Sequence, residues 1–421
     1  MVRIKHALLL LMCALLCPMA GHAIKAKPGS IVVKQPDGTT LVVRIHGDEN
    51  FHYTTTLDGY LIKRAKDGFF KYVKYDAQSG RQQLTRQRVS NAGERTADER
   101  ALLTTLSPVK KADLTKFRPQ TAQRRPAQIL SKSVVAPKLQ RGETAAESQY
   151  LVILVNFKDK AFTFKNAKFD RWLNEKGYAD DGGTGSVKDY YRDNSMGQFV
   201  PNFKVLGPYT LSHNQDYYAA NDEDTGEDID PRSMVIEACR MAKAENPDLN
   251  FAQYDNDGDG FMDNINIVYA GYSEASTGNE DDMWPHSWYL GEDSINIDGI
   301  TLNNYSCSAV LVGAGGTQMD GIGTFVHEFG HVLGLKDMYD TDEYIDGYGL
   351  DPGTFSLYAS GSYNNESRTP PCLMAFERMQ MGWLTPTPLT GAEDVALGHL
   401  ANNEARYINA HPHRAPGAGH E

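Results

Sequence analysis

Between residues 29 and 91 apolar and polar positions alternate. IVVKQPDGTTLVVRI reads as two strands around the turn Pro36-Asp37-Gly38, and FHYTTTLDGYLIKR repeats the pattern around Asp58-Gly59. Period-two alternation interrupted by Asp-Gly turns predicts a β-rich module. Residues 92–126 are polar and read as partly helical, and 126–148 mix Pro, Ala, Lys and Arg without periodicity, as a linker does. The pattern then changes. YLVILVNF at 150–157 is a continuous apolar run of strand length, which predicts a central strand buried on both faces. Ile265–Ala270 predicts a second buried strand. Ser186–Ser195 reads as a helix, and so does Arg232–Ala244, with apolar positions at Met234, Val235, Ala238 and Met241. Asp320 precedes a predicted helix over roughly 321–334. Strands and helices mixed in this way predict an α/β fold of the α+β kind for the second half.

Only one long apolar run adds to that picture, and it is at the N-terminus. Arg3 and Lys5 precede the apolar stretch Ala7–Cys17, and Gly21-His22-Ala23 offers small residues for a leader cut. The run is short for a membrane span. Residues 1–23 therefore read as a signal peptide, with no stable membrane insertion after its removal. Secretion follows, with the periplasm or the cell surface as alternatives. Three cysteines remain beyond it, Cys239, Cys307 and Cys372, and none has a paired metal-binding spacing. They read as buried small apolar residues.

Charge separates the two halves. Residues 24–145 hold 23 Lys+Arg against 11 Asp+Glu, a net of +12, and residues 146–421 hold 17 against 43, a net of −26. Such asymmetry marks two modules with different jobs. A net of −26 also argues against nucleic acid as a partner. The resulting organisation is a signal peptide at 1–23, a β-rich module at 24–125, a linker at 126–148, a main domain at 149–390 and a short C-terminal segment at 391–421.

The candidate chemistry lies in the helix predicted near 321–334. Residues 327–337 read His-Glu-Phe-Gly-His-Val-Leu-Gly-Leu-Lys-Asp. Positions i and i+4 share a helix face, so His327 and His331 can hold one ion between them. Glu328 lies beside them, placed to take a proton from water activated by the metal. Phe325, Phe329 and Val332 fall on the other side and anchor the helix to a core. Gly334 can end the helix in the left-handed conformation, turning the chain so that Asp337 reaches the imidazoles. Three protein ligands and one open position is the arrangement of a catalytic zinc site.

These residues resemble the metzincin clan, whose motif is H-E-x-x-H-x-x-G-x-x-H/D. The aspartate form, followed by Met338-Tyr339-Asp340, is similar to the bacterial immune-inhibitor-A-like secreted metalloproteases. Ser186-Val187-Lys188-Asp189-Tyr190-Tyr191 with Asn194-Ser195, Trp284-Pro285-His286-Ser287-Trp288, and Ser360-Gly361-Ser362-Tyr363-Asn364 carry the likeness further, over about 30–390. The resemblance implies a metzincin-like catalytic domain with an active-site helix, preceded by a β-rich propeptide domain. It implies zinc on His327, His331 and Asp337, Glu328 as general base, and protein or peptide substrates. The propeptide would be an intramolecular inhibitor. Residues 24–145 contain no cysteine, so a thiol block on the metal is excluded. A carboxylate could serve instead, and Asp48, Asp58 and Asp67 all lie in or beside turns, with nothing to choose among them. One departure stands out: Tyr358 occupies the place where metzincins set a methionine beneath the metal.

Residues 255–263 read Asp-Asn-Asp-Gly-Asp-Gly-Phe-Met-Asp. Oxygen ligands at Asp255, Asp257, Asp259 and Asp263 match the start of an EF-hand-type loop, while Asn266 stands where its bidentate Glu would be. A short structural calcium site is expected. No Lys or Arg occurs from Ala244 to Leu335 to neutralise these carboxylates otherwise. His286, between two tryptophans, reads as a core histidine.

The sequence thus points to a secreted zinc endopeptidase made as a zymogen. Two alternatives remain: a zinc peptidase whose third ligand is a distant glutamate, Glu366 or Glu377, and a catalytically impaired, calcium-stabilised surface binding protein.

Overall fold

The computed structural model describes residues 22–76, 81–110, 147–222, 226–341, 351–389, 396 and 405–407. The signal-peptide reading of 1–21, most of the linker and most of 391–421 lie outside the described residues.

The chain enters as a two-residue strand, β1 (His22–Ala23). Six strands then form an antiparallel meander: β2 (Ile31–Lys34), β3 (Thr40–Asp48), β4 (Phe51–Thr56), β5 (Leu61–Arg64), β6 (Phe70–Asp76) and β7 (Arg81–Arg88). The burial of β2 alternates strictly, with Ile31 and Val33 inward and Val32 and Lys34 outward. This is the alternation of a sheet wet on one face. A short helix, α1 (Ala97–Leu103), follows.

The second sheet begins with β8 (Ser148–Asn156). The helices α2 (Asn166–Asn174) and α3 (Val187–Asn194) lead to β9 (Pro201–Thr210), and α4 (Pro231–Glu245) leads to β10 (Ile265–Tyr269). Next come β11 (His286–Tyr289), a hairpin of β12 (Ile295–Ile297) and β13 (Ile300–Leu302), and β14 (Asn304–Ala309). The strand order is β1-β11-β14-β10-β8-β9. Strands β9, β8, β10 and β14 are parallel, while β11 joins antiparallel to β14 and β1 antiparallel to β11.

The apolar run at 150–157 has a physical cause in this order. Strand β8 lies inside the sheet, and its alternate side chains feed two cores. Tyr150, Val152 and Leu154 enter one, and Leu151, Ile153 and Val155 the other. The second core holds Met234, Val235 and Ala238 of α4. The first holds the helix with the histidines, α5 (Gly323–Val332), through Phe325, Val326 and Phe329. Each such side chain contributes about 1.5–3 kcal/mol of burial, so the helix is fixed to a rigid sheet. Val332, expected on that anchoring face, is only half-buried. Helix α5 is also shorter than the predicted 321–334. The Gly321 and Gly323 N–H groups donate to the Glu366 and Ser367 carbonyls. The last helix is α6 (Ala375–Gln380). No helix among the described residues is long and apolar enough to cross a membrane.

Candidate functional site

Helix α5 ends at Leu333, and Gly334 takes φ +99°, which only glycine adopts without strain. The Leu335 N–H donates back to the Gly330 carbonyl at 3.1 Å, closing the cap. The reversal brings Asp337 to the histidines. His327 Nε2 and His331 Nε2 are 3.0 Å apart, and Asp337 Oδ1 lies 3.3 Å and 3.5 Å from them. A tetrahedral ion at the zinc-ligand distance of about 2.0–2.1 Å spaces its ligand atoms about 3.3 Å apart. The three atoms therefore fit a single ion. Each ring's other nitrogen is engaged, His327 Nδ1 with the Leu357 carbonyl at 2.8 Å and His331 Nδ1 with the Leu335 carbonyl at 2.9 Å. Those contacts fix the rings with both Nε2 atoms turned toward Asp337. Burial works against a charge on His327, but the Asp337 hydrogen bond and the Glu328 charge outweigh it and hold the ring up at about 9. The cluster attracts positive charge.

Beneath it lies Tyr358, fully buried, with ring centroids 5.0 Å from His327 and 5.1 Å from His331. The larger residue has a compensation. A Cβ on Gly330 would lie 1.5 Å from the Tyr358 hydroxyl oxygen and 3.1 Å from that of Tyr191. The missing side chain in the middle of the helix is thus the space that the tyrosine fills. Gly330→Ala is expected to cost about 1–3 kcal/mol, the usual effect of overpacking. Adding Tyr358→Met should recover most of it, as measured by denaturant unfolding. Equal losses in the single and double variants would mean that the two positions are not coupled.

Glu328 is buried beside His327. Its Oε1 accepts the Ile24 N–H at 2.9 Å, and its Oε2 has no hydrogen-bond partner among the described residues. Burial first, then the charge of Asp337, pushes its carboxyl up to about 8 against the opposing pull of His327. The turn after β3 adds two more acids. Asp48 is pushed up to about 6 by burial, despite the Asn50 and Phe51 N–H groups it accepts, and feels the charge of Asp337. Glu49 is held well above the usual carboxylate range by burial and by Asp48, Asp337 and Glu328. So Asp48 is the turn acid that feels the charge of Asp337, and Glu49, not singled out from sequence, does so too. Asp58 and Asp67 lie elsewhere, paired with Arg95 at 2.6 Å and Lys71 at 2.8 Å.

The two alternative glutamates are also elsewhere. Glu366 pairs with Arg368 at 2.6 Å, and Glu377 accepts from Ser356 Oγ at 2.9 Å and from the Met374 N–H. His286 is a satisfied core residue, held between the Trp284 carbonyl and the Tyr305 hydroxyl and pushed down to about 4 by burial. Cys239 and Cys307 are buried thiols, whereas Cys372, expected inside, is exposed.

In the acidic loop, carboxylate oxygens of Asp255, Asp257 and Asp263 lie within 4.8 Å of one another. Asp259 is not in that group; its Oδ1 accepts the Phe261 N–H at 2.9 Å. Asn266 points into the sheet, donating to the Leu151 carbonyl at 2.9 Å. Burial, with Asp257 and Asp255 nearby, pushes Asp263 up to about 6 even though Asn256 donates to it twice.

Comparison with known proteins gives these geometries a context. Residues 138–384 match the family described as Immune inhibitor A peptidase M6, catalytic domain. The chain is 28% identical over 224 residues to the pre-pro-metalloprotease PrtV of Vibrio cholerae, which covers 46% of this chain and 23% of PrtV. It is 30% identical over 199 residues to immune inhibitor A of Bacillus thuringiensis subsp. alesti, covering 42% of this chain and 28% of that protein. The matched segments thus span less than a third of either relative.

Proposed function

The chain belongs to the immune inhibitor A peptidase M6 family, and from that premise we propose that it is a secreted, zinc-dependent endopeptidase made as a zymogen. The observation that carries the reading is the triangle of His327, His331 and Asp337 ligand atoms with the Glu328 carboxylate beside it. His327, His331 and Asp337 would hold the ion, in a metzincin-like site. When bound, zinc supplies Lewis-acid polarisation of the scissile carbonyl and acidifies water. Glu328 accepts the proton of the attacking water and later hands it to the leaving amine. The rigid sheet and the carbonyls of Leu357 and Leu335 keep the imidazoles oriented while this happens.

In this reading residues 1–23 direct export, 24–125 are the propeptide, 126–148 are the activation linker and 149–390 are the catalytic domain. Substrates are unfolded proteins and peptides. The test is hydrolysis of casein by the protein after limited proteolysis, together with metal analysis. One zinc per chain and hydrolysis abolished by a chelator are expected. Full hydrolysis after complete zinc removal would overturn the assignment.

The reading includes calcium on Asp255, Asp257 and Asp263, with Asp259 shaping the loop. Carboxylates gathered this closely repel one another unless a cation joins them. Calcium is expected to raise the melting temperature of an inactive Glu328→Ala protein by binding the folded state. Asp257→Ala with Asp263→Ala should abolish that rise. An unchanged response would place calcium elsewhere.

A further inference from the structure

His52 lies on β4, and its side chain meets Asn221 and Glu274 of the module that carries the histidines. His52 Nε2 is 3.1 Å from Glu274 Oε1 and 3.0 Å from the Asn221 side-chain nitrogen, which is 2.9 Å from the same Glu274 oxygen. The three atoms form a nearly equilateral triangle, and the side chains of Glu274 and His52 are 1% and 12% exposed. On the far side of the ring, Nδ1 is 3.1 Å from the Asp48 carbonyl, so the ring proton sits there and Nε2 keeps its lone pair. No placement of protons satisfies all three edges. With the amide nitrogen in the triangle, Nε2 and Oε1 face each other as two acceptors. Protonating Nε2 sets its N–H against the amide N–H. Turning the amide over as well, which its two similar ends allow, sets Oδ1 against Oε1. Protonating Glu274 instead asks the single lone pair of Nε2 to accept two donors. Asn221 Oδ1 and Glu274 Oε2 are buried without a partner among the described residues. Asp228, bridged to Asn221 through the backbone, also has a buried oxygen without one, and burial and the charge of Glu274 hold its carboxyl well above the usual range.

A cation at the centre removes the conflict, because it takes a lone pair from each corner and the turned amide supplies the third. Three ligands at right angles, each about 2.1 Å from an ion, lie about 3.0 Å apart, which is the spacing of this triangle. We propose that His52 Nε2, Glu274 Oε1 and Asn221 Oδ1 hold a divalent transition-metal ion, separate from the His327 cluster, that clasps the β-rich module to the module with the histidines. An imidazole beside two oxygens favours such an ion over magnesium or calcium. The Nδ1–H on a backbone carbonyl is the outer contact that ligating imidazoles make. One ligand comes from β4 and two from the other module, so the site is complete only while the two are joined. The ion therefore stabilises the joined chain, and processing that removes His52 releases it.

Zinc is the probe. The full chain carrying Glu328→Ala is loaded with zinc, dialysed and analysed for metal. Two zinc ions per chain are expected, against one after limited proteolysis has removed the β-rich module. His52→Ala in the same background should hold one fewer than its parent. Calorimetric titration should show the lost site weakened at least about a hundredfold, since loss of an outer contact alone costs about 10–100-fold. Asp337→Ala should remove the other ion and leave this one. Asn221→Asp separates a metal site from a hydrogen-bonded cluster. A carboxylate in place of the amide should tighten this zinc at least about tenfold, because ligand charge tunes affinity. Without an ion the same change buries a second negative charge beside Glu274 and destabilises the chain. A zinc count unchanged by His52→Ala overturns the clasp. So does an Asn221→Asp chain that melts lower and gains no zinc affinity. Neither outcome involves hydrolysis, so the proposed function stands or falls by its own test.

Discussion

Glu328→Ala is expected to keep its zinc and to lose casein hydrolysis by at least about 10²-fold, the usual contribution of a positioned acid–base group. Among the described residues the Glu328 side chain forms no hydrogen bond to the three ligand atoms, and it accepts the Ile24 N–H. Removing it leaves His327, His331 and Asp337 held by their own contacts. The Leu357 and Leu335 carbonyls still orient the rings, and the Gly334 cap still delivers Asp337. Metal content and activity should therefore separate in this variant. Asp337→Ala should behave in the opposite way and lose the metal itself. Glu366→Ala and Glu377→Ala should retain it, because those carboxylates are committed to Arg368 and to Ser356. Metal analysis beside the casein assay reads all four. Full activity in Glu328→Ala would sink the mechanism, and zinc loss in either glutamate variant with retention in Asp337→Ala would sink the ligand assignment.

What was legible in the sequence depended on the distance over which the cause acts. The double burial of β8 was visible because it makes every position apolar. The turn at Gly334 was visible because helix end, glycine and aspartate lie within a few residues of one another. How Tyr358 is accommodated could not be read from the sequence, since the space for its hydroxyl is a hydrogen atom on Gly330 across a packed interface. Asp48 could not be told from Asp58 or Asp67. All three have the same turn chemistry, and what distinguishes Asp48 is proximity to Asp337, nearly three hundred residues away. Ile24 on Glu328 spans the chain in the same way. In the acidic loop spacing suggested four ligands, and the folded chain gathers the carboxylates of Asp255, Asp257 and Asp263 within 4.8 Å of one another.

Asp48→Asn with Glu49→Gln is expected to weaken latency strongly, and the reason is burial. No salt bridge joins either carboxylate to a cationic side chain among the described residues, and both feel the charge of Asp337 and, for Glu49, that of Glu328. Burial favours the protonated form of both acids, and a cation held by His327, His331 and Asp337 would favour their charged form instead. Losing a buried charged partner costs about 2–5 kcal/mol, so separately produced 24–145 carrying both changes should inhibit the activated enzyme at least about thirtyfold less well than the unaltered fragment. The rest of the contact should persist. His52 pairs with Glu274 at 3.1 Å and stacks on Trp284, and Lys63 pairs with Glu280 at 3.0 Å. The Lys63 pair is solvent-exposed, and a +12 segment meets a −26 one, so salt should weaken the docking of both fragments alike through screening beyond about 8 Å. The buried acids are shielded from that effect. The thirtyfold difference between the fragments should therefore survive at high salt while both inhibition constants rise. A difference that vanishes with salt would mean that Asp48 and Glu49 act as surface charges. Equal inhibition by the two fragments at every salt concentration would leave the metal-facing carboxylates without a part in latency.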